Sequence, residues 1–333
     1  MSNTIKYSTQ TENNTLKKGD FVIGVNNVDY GPTSETGYYN TITPPSGGYV
    51  VYKNRGDNQR SIYVAESDEE LVLLKDDFGA TGSTANDVLV WAAQQDDVLI
   101  INNPLDNIVT DGLQLYFDAG LTSSYPKGNT KWYDLSGNNY DGILTNGPEF
   151  DNNNQGNILF DGSNDFINIG SKPNLRLHTG GTICIFFKWN SYNGTSWSNT
   201  LIGRGGSGWA NHHYILFKHS QTNRLHLSVS NGVTAMASGG VRSTFDIELD
   251  RIYYVVVTID STVKKMYIDG QFNKQVNSTI MPISTSSTVS LGRTGSNGYY
   301  LDGNIYNVKI YDRVLSSEEI LQNYNAQKSR FGL

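Results

Sequence analysis

Apolar and polar positions follow two different rhythms along this chain, and the change falls near residue 106. In residues 1–106 the short runs Phe21–Val25, Gly48–Tyr52 and Ser61–Val64 are β-branched and aromatic, with Pro44-Pro45 and Gly47-Gly48 between them, which predicts strands joined by turns. Two helices follow. One covers Ser67–Lys75, with Ser67 as N-cap ahead of an acidic first turn; the other covers Thr84–Gln95, where Val88, Leu89, Trp91 and Ala92 recur at near-helical spacing. A last strand, Val98–Asn102, precedes Pro104. The order predicts a small α/β domain over 1–106, with helices on one face of a sheet. Tyr38-Tyr39 and Trp91 either fill its core or form an interface, core being the commoner use.

From Asp111 onward the pattern is strand and turn. Leu113–Phe117, Ile158–Phe160, Phe166–Ile169, Thr182–Trp189, Leu201–Gly203, Tyr214–Lys218, Leu225–Ser230, Ile252–Asp260, Lys265–Ile268, Thr288–Gly292 and Gly303–Tyr311 all carry β-formers, separated by Gly, Asn and Asp pairs. So many short strands predict a mainly β sandwich or barrel. Asp269-Gly270 reads as a tight hairpin, and Asp161-Gly162 as the same device between Phe160 and Phe166. In Gly303–Tyr311, Ile305, Asn307 and Lys309 alternate with Tyr306, Val308 and Ile310, which predicts one buried and one wetted face. Ser316-Ser317-Glu318-Glu319 is a capping box that opens a short terminal helix.

Five strings carry a family resemblance: Gly112–Asp118 (GLQLYFD), Trp132–Gly142 (WYDLSGNNYDG), Leu159–Ile169 (LFDGSNDFINI), Met266–Gly270 (MYIDG) and Leu301–Leu315 (LDGNIYNVKIYDRVL). In that order they resemble the laminin G-like subgroup of concanavalin A-like jelly rolls, which implies a lectin-type β-sandwich over 107–333. A second resemblance lies at the ends. Lys17–Tyr52, with GDFVIGVN, YGPTSETGYYN and ITPPSGGYVVY, and the terminal EEILQNYNAQKSRFGL are similar to structural proteins of marine tailed bacteriophages, especially contractile-tailed phages of cyanobacteria. This implies a virion component whose amino-terminal domain anchors to other virion proteins and whose lectin-like domain meets host-surface polysaccharide.

Composition narrows the chemistry. The net charge is −7 and no Lys/Arg run is interleaved with aromatics, so nucleic acid is not an expected partner. No stretch reads as a membrane span, and residues 1–20 are polar, so the expectation is synthesis in a host cytoplasm with no secretion signal. Cys184 stands alone in an apolar run and reads as a buried thiol. Glycoside hydrolysis needs a pair of carboxylates facing one cleft. The Glu-x-Asp-x-x-Glu strand of laminarinase-like members is missing, and residues 107–333 hold only Glu149, Glu248, Glu318 and Glu319, so no enzyme is expected.

The resemblance also raises calcium, with Asp161, Asp165 and Asn304 as its candidate ligands; simple turn formation by the two aspartates is the alternative. No cofactor is otherwise required, and His212-His213 lacks the partners a zinc site needs. For glycan recognition, Trp189–Tyr214 packs Trp189, Tyr192, Trp197, Trp209, His212 and Tyr214 among amides and Arg204, with Trp189 and Tyr214 also read as core. The Arg293–Tyr300 loop (RTGSNGYY) is a second place of the same kind. The candidate glycan-binding residues are Trp197, Arg204, Trp209, His212, Arg293 and Tyr299. The competing reading is a purely structural decoration or assembly protein with no sugar ligand. No heptad or collagen-like repeat specifies an oligomer, and a homo-oligomer stays open.

Overall fold

The structure is a computed structural model that describes residues 4–6, 20–25, 49–56, 59–65, 67–92, 95, 98–102 and 108–333, apart from 122, 127, 193–197, 206–211, 220, 234–238 and 295–298. The chain divides into two compact units, Met1–Asn107 and Ile108–Leu333. Among the described residues no helix is long and apolar enough to cross a membrane.

The amino-terminal unit contains β1 (Thr4–Lys6), β2 (Asp20–Val25), β3 (Tyr49–Gly56), β4 (Gln59–Ala65), α1 (Asp68–Phe78), α2 (Ala85–Ala92) and β5 (Val98–Asn102), with the sheet ordered β1-β2-β4-β3-β5. Ser67 starts α1 by accepting the Glu70 amide at 3.3 Å, and Asp68, Glu69 and Glu70 place negative charge at the positive end of the helix. Gly79 ends α1 in the left-handed region at φ 84, where a side chain would be strained. Leu71, Phe78, Val88 and Ala92 of the two helices pack on Tyr49, Val51, Tyr63 and Ala65 of the sheet. Trp91 joins this cluster, its ring 6.3 Å from that of Phe78, so it serves the core. Tyr38-Tyr39 lies outside the described residues.

The carboxy-terminal unit is built from β6 (Leu113–Asp118), β7 (Lys131–Trp132), β8 (Gly142–Thr145), β9 (Glu149–Asp151), β10 (Asn157–Asp161), β11 (Phe166–Gly170), β12 (Gly181–Trp189), β13 (Ser198–Gly205), β14 (His212–Lys218), β15 (Leu225–Val229), β16 (Val241–Arg242), β17 (Ile252–Ile259), β18 (Val263–Ile268), β19 (Gln271–Asn277), β20 (Val289–Leu291) and β21 (Asp302–Tyr311), followed by α3 (Ser317–Asn325). They form two eight-stranded sheets: a back sheet ordered β19-β18-β17-β12-β21-β10-β9, with β6 also paired to β21, and a front sheet ordered β16-β15-β14-β13-β20-β11-β8-β7. Between them lies one core that includes Phe117, Trp132, Ile158, Phe160, Phe187, Trp189, Tyr214, Leu216 and Val255. The unit is a mainly β sandwich.

Two sequence expectations are corrected. Asp161-Gly162 is not a hairpin, because β10 belongs to the back sheet and β11 to the front one. Residues 161–165 therefore cross between the layers, and Asp161 Oδ1 organises the crossing by accepting the Ser163 and Asn164 amides at 2.8 and 3.3 Å. Nor does β21 have a wetted face. A register shift at Phe186/Phe187 puts Ile305, Val308 and Ile310 in the core together, and the opposite face, with Asn307 and Lys309 fully buried, is covered as well.

The cover is the chain's own end. Phe186 on the outer side of the back sheet stacks on Tyr254 (4.4 Å), Tyr324 (6.4 Å) and Phe331 (4.5 Å). Lys309 lies 4.7 Å from the centre of the Tyr116 ring and donates to Gln327 Oε1; burial pulls its ammonium down to about 8. Cys184 is buried in the same layer, and its thiol is pushed up to about 11 by burial, which makes it unreactive. The capping box is formed: Ser316 Oγ accepts the Glu319 amide at 3.2 Å, and Glu319 Oε2 accepts the Ser316 amide at 2.8 Å. Ser316→Ala is expected to cost about 1 kcal/mol, read as a lower midpoint in denaturant at unchanged slope.

Candidate functional site

The front sheet turns Tyr214, Leu216, Leu225 and Leu227 into the core and carries His213, Ile215, Phe217, His226, Ser228 and Ser290 on its other face. That face is not an open cleft, since all six are buried. Part of the reason is local. A Cβ at Gly203 would lie 3.0 Å from the Arg293 carbonyl oxygen and 3.2 Å from Thr294 Cα, so the segment after β20 passes directly over this strand and leaves little room for a side chain beneath it. His213 Nε2 meets Ser287 Oγ at 2.8 Å. Burial, aided by Arg204 and His212, lowers His213 to about 4; burial, aided by Arg242 and His219, lowers His226 to about 3. Both imidazoles are neutral at physiological pH.

Exposure returns at the loop between β20 and β21. The Arg293 guanidinium lies 3.3 Å from the centre of the Phe166 ring, in cation–π contact with the first residue of β11. Desolvation lowers the Arg293 pKa, and the nearby Tyr300 hydroxyl opposes that shift electrostatically. Tyr299 and Tyr300 are half-buried beside it, Tyr299 at φ 57. Leu301 donates to Gly292 O at 2.9 Å and closes the loop at its base.

The neighbouring loop is held by Asn199. Its backbone amide donates to Tyr300 O at 3.2 Å, its Nδ2 to Ser191 O at 2.6 Å, and its Oδ1 accepts the Asp302 amide at 2.9 Å. Thr200 donates to Tyr299 O at 3.1 Å. Asn, which tolerates the left-handed conformation found here (φ 49), thus ties both loops to one anchor.

The six predicted glycan-binding residues part company at this point. Arg293 and Tyr299 stand on one rim. Trp197 and Trp209 lie outside the described residues. Arg204 is a correction: it is fully buried, donates through Nη1 to Ile283 O at 3.0 Å and through Nη2 to Thr285 O, and so pins the chain before β20 and faces no solvent. His212 is buried too, and its pKa is lowered by that burial. Trp189 and Tyr214 are core, the latter donating to Leu175 O at 2.9 Å. Phe166 and Tyr300 were missed. Tyr300 sits in the quoted RTGSNGYY string, but Phe166 reads from sequence as an ordinary strand residue.

The candidate calcium ligands are partly engaged in hydrogen bonds within the fold. Asp161 Oδ1 is spent on two turn amides, Asp165 Oδ2 accepts the Asp161 amide at 3.1 Å, and Asn304 Nδ2 donates to Asn157 Oδ1 at 2.6 Å. Three side-chain groups are fewer than the roughly six to eight oxygens that calcium takes, and Asn304 Oδ1 is left buried without a partner among the described residues. Among the described residues no group of three or more His, Cys, Asp or Glu is placed to hold a metal.

The two aspartates do differ in protonation. The Ser163 amide holds Asp161 below the usual carboxylate range, whereas burial pushes Asp165 up to about 6. A carboxyl raised on folding stabilises the fold when protonated, so its contribution is complete below its ordinary 3.8 and is lost as pH rises through about 6. Asp165→Asn keeps an acceptor for the Asp161 amide but cannot ionise. It is expected to melt above wild type at pH 8 and to converge with it at pH 3.5; a constant offset at both pH values would contradict this.

Residues 161–321 match the laminin G-type model described as the concanavalin A-like lectin/glucanases superfamily. No curated protein matches the sequence. Among solved structures, the receptor binding domain of botulinum neurotoxin C/D mosaic serotype superposes with a TM-score of 0.50 at 15% identity, over 66% of this chain and 52% of that one. Trypanosoma rangeli sialidase in complex with sialic acid gives 0.51 at 16% identity, over 85% of this chain and 43% of that one. Domain 4 of the arabinanase AbnA from Geobacillus stearothermophilus, in complex with arabinotriose, gives 0.49 at 12% identity, over 64% and 98%. This chain covers about half the length of the neurotoxin domains it matches. At such identities the likeness is one of fold.

Proposed function

With a concanavalin A-like lectin/glucanase domain as its carboxy-terminal unit, we propose that this chain is a non-catalytic glycan-binding protein of a tailed bacteriophage particle. In this reading the amino-terminal unit anchors to other virion proteins and the rim around Arg293 engages host-surface polysaccharide. The observation that carries it is the state of Arg293. A guanidinium has about five N–H donors. Stacking on Phe166 uses none of them, and the Nε–H is buried without a hydrogen-bond partner among the described residues. A planar donor array, held in place by an aromatic ring and flanked by Tyr299, suits vicinal sugar hydroxyls. The virion assignment is supported by the sequence resemblance at the two ends of the chain. Copies clustered on one particle would turn weak single contacts into firm attachment.

The test is a glycan array probed with the full chain. Wild type is expected to bind a subset of neutral glycans, and Arg293→Ala to lose about tenfold or more of that affinity with its thermal midpoint little changed. Uniform absence of signal at every printing density would favour the purely structural alternative. Mass spectrometry of purified particles tests the virion assignment, which is contradicted if the chain occurs only in lysate.

A glycosidase is the second reading, and one feature favours it: the environments of Asp161 and Asp165 push their protonation apart, as in acid–base pairs. Against it, one oxygen of each is engaged with backbone amides of their own crossing segment.

A further inference from the structure

A second concave site lies away from the Arg293 rim, where the two sheets end. β16 is the last strand of the front sheet and β19 the last of the back sheet, and between them opens a cavity of about 410 Å³. Its wall carries Arg224, Arg242 and Lys274, with Ser243, Thr244 and His226. Among the described residues no acidic side chain lines it. The chain as a whole has 32 acidic against 25 basic side chains, so three cations lining one hollow run against the overall balance.

Arg224 is partly neutralised at the mouth by Asp246, 3.5 Å away and 57% exposed. Arg242 and Lys274 are exposed, and neither makes an ion pair among the described residues. The frame that holds them is built. Asn273 accepts the Thr244 amide at 3.0 Å and donates back to Thr244 Oγ1 at 3.0 Å, which ties the segment after β16 to β19 across the open end of the sandwich. Ser243 Oγ donates to Phe245 O at 2.7 Å and accepts the Leu225 amide at 3.1 Å, fixing the same segment to β15. The floor is close: a Cβ at Gly240 would lie 2.2 Å from the Leu227 carbonyl oxygen and 2.7 Å from His226 Nε2.

Lysines on edge strands guard against edge-to-edge pairing, which accounts for Lys274 alone. It does not account for two arginines from a different sheet converging on the same hollow. We infer that this pocket binds the acidic substituents, carboxylate or sulfate ester, of an anionic polysaccharide. The inference rests on the glycan-binding reading and adds to it a charged class of ligand at a separate place. Guanidinium groups pair with planar carboxylate or with sulfate oxygens in fork geometry, and an acid-free concavity concentrates the positive potential.

The probes are alginate for carboxylate, carrageenan for sulfate ester and dextran as the neutral polymer, with retention measured by affinity electrophoresis of the full chain. Wild type is expected to be retarded by alginate, carrageenan or both, more strongly than by dextran, with the effect fading as salt is raised. The double variant Arg242→Glu/Lys274→Glu should lose about tenfold or more of that retention, and Arg242→Lys/Lys274→Arg should keep most of it. Lys131→Glu, on the opposite edge strand of the front sheet, serves as control. The inference is overturned if neither polyanion retards wild type, if the double reversal binds like wild type, or if Lys131→Glu loses as much. Loss of neutral-glycan binding in Arg293→Ala, with polyanion retention unaffected by the double reversal, would refute the pocket and leave the rim standing.

Discussion

Replacing Arg330 by alanine is expected to destabilise the carboxy-terminal unit by about 3–5 kcal/mol, the range for removing one partner of a buried ion pair. Asp118 is 2% exposed and accepts from Arg330 Nη1. The same guanidinium donates to Asn154 O at 3.0 Å and to Gly156 O at 2.6 Å, so one side chain satisfies a buried carboxylate and two carbonyls. Tyr116, Gln327 and the Gly120 amide would still donate to Asp118, which places the expected loss toward the lower end of the range. What remains is a charge in a dry layer. The double variant Asp118→Asn/Arg330→Ala should therefore be less destabilised than Arg330→Ala alone, because the amide removes the stranded charge. Chemical denaturation of wild type and the two variants decides it. A loss below about 1 kcal/mol for Arg330→Ala would mean that the chain end does not seal the back sheet.

Trp132→Ala is expected to cost about 3–5 kcal/mol, as large-to-small changes of buried aromatic residues do. Trp132 is fully buried although its strand has only two residues, and its ring stacks on Phe117 at 5.0 Å and 16°. It closes the end of the core beneath the last strand of the front sheet. Its indole Nε1 is buried and has no hydrogen-bond partner among the described residues. That orphan donor already carries a desolvation cost, so Trp132→Phe removes volume and a penalty together. The phenylalanine variant should lose less than half of what the alanine variant loses. Equal losses would show that the indole N–H is satisfied after all.

Much of this fold was written in local chemistry. The Asp269-Gly270 turn is a tight hairpin between β18 and β19, with both residues at positive φ (51 and 75), the conformation that Asp and Gly tolerate best. The capping box and the run of apolar strands were legible for the same reason. β19 was not. Its sequence QFNKQVN has no apolar alternation because it is an edge strand, exposed along most of its length, and its place in the sheet comes from the hairpin and not from burial. The wetted face expected for β21 failed because alternation reports only that two faces differ. It cannot report a register shift, or that Tyr324 and Phe331 return to cover the second face.

The sites follow the same division. Arg293 and Tyr299 drew attention because a loop rich in Gly, Ser and aromatics stands out in sequence, and the structure places them side by side on one rim. Arg204 was misread because a guanidinium among aromatics looks the same in sequence whether it faces a ligand or two backbone carbonyls. Phe166, the ring under Arg293, gives no signal apart from its strand. The cationic hollow was invisible, since Arg224, Arg242 and Lys274 lie far apart in the chain and meet only where the ends of two sheets come together.

We propose that this sandwich grips carbohydrate without cutting it. Incubating the full chain with a polysaccharide it retains, and following bound fraction and polymer length in the same samples over a day, tests both halves at once. The account expects saturable, reversible binding and an unchanged length distribution, in wild type and in Asp165→Asn alike. Progressive shortening by wild type that disappears in Asp165→Asn would contradict it.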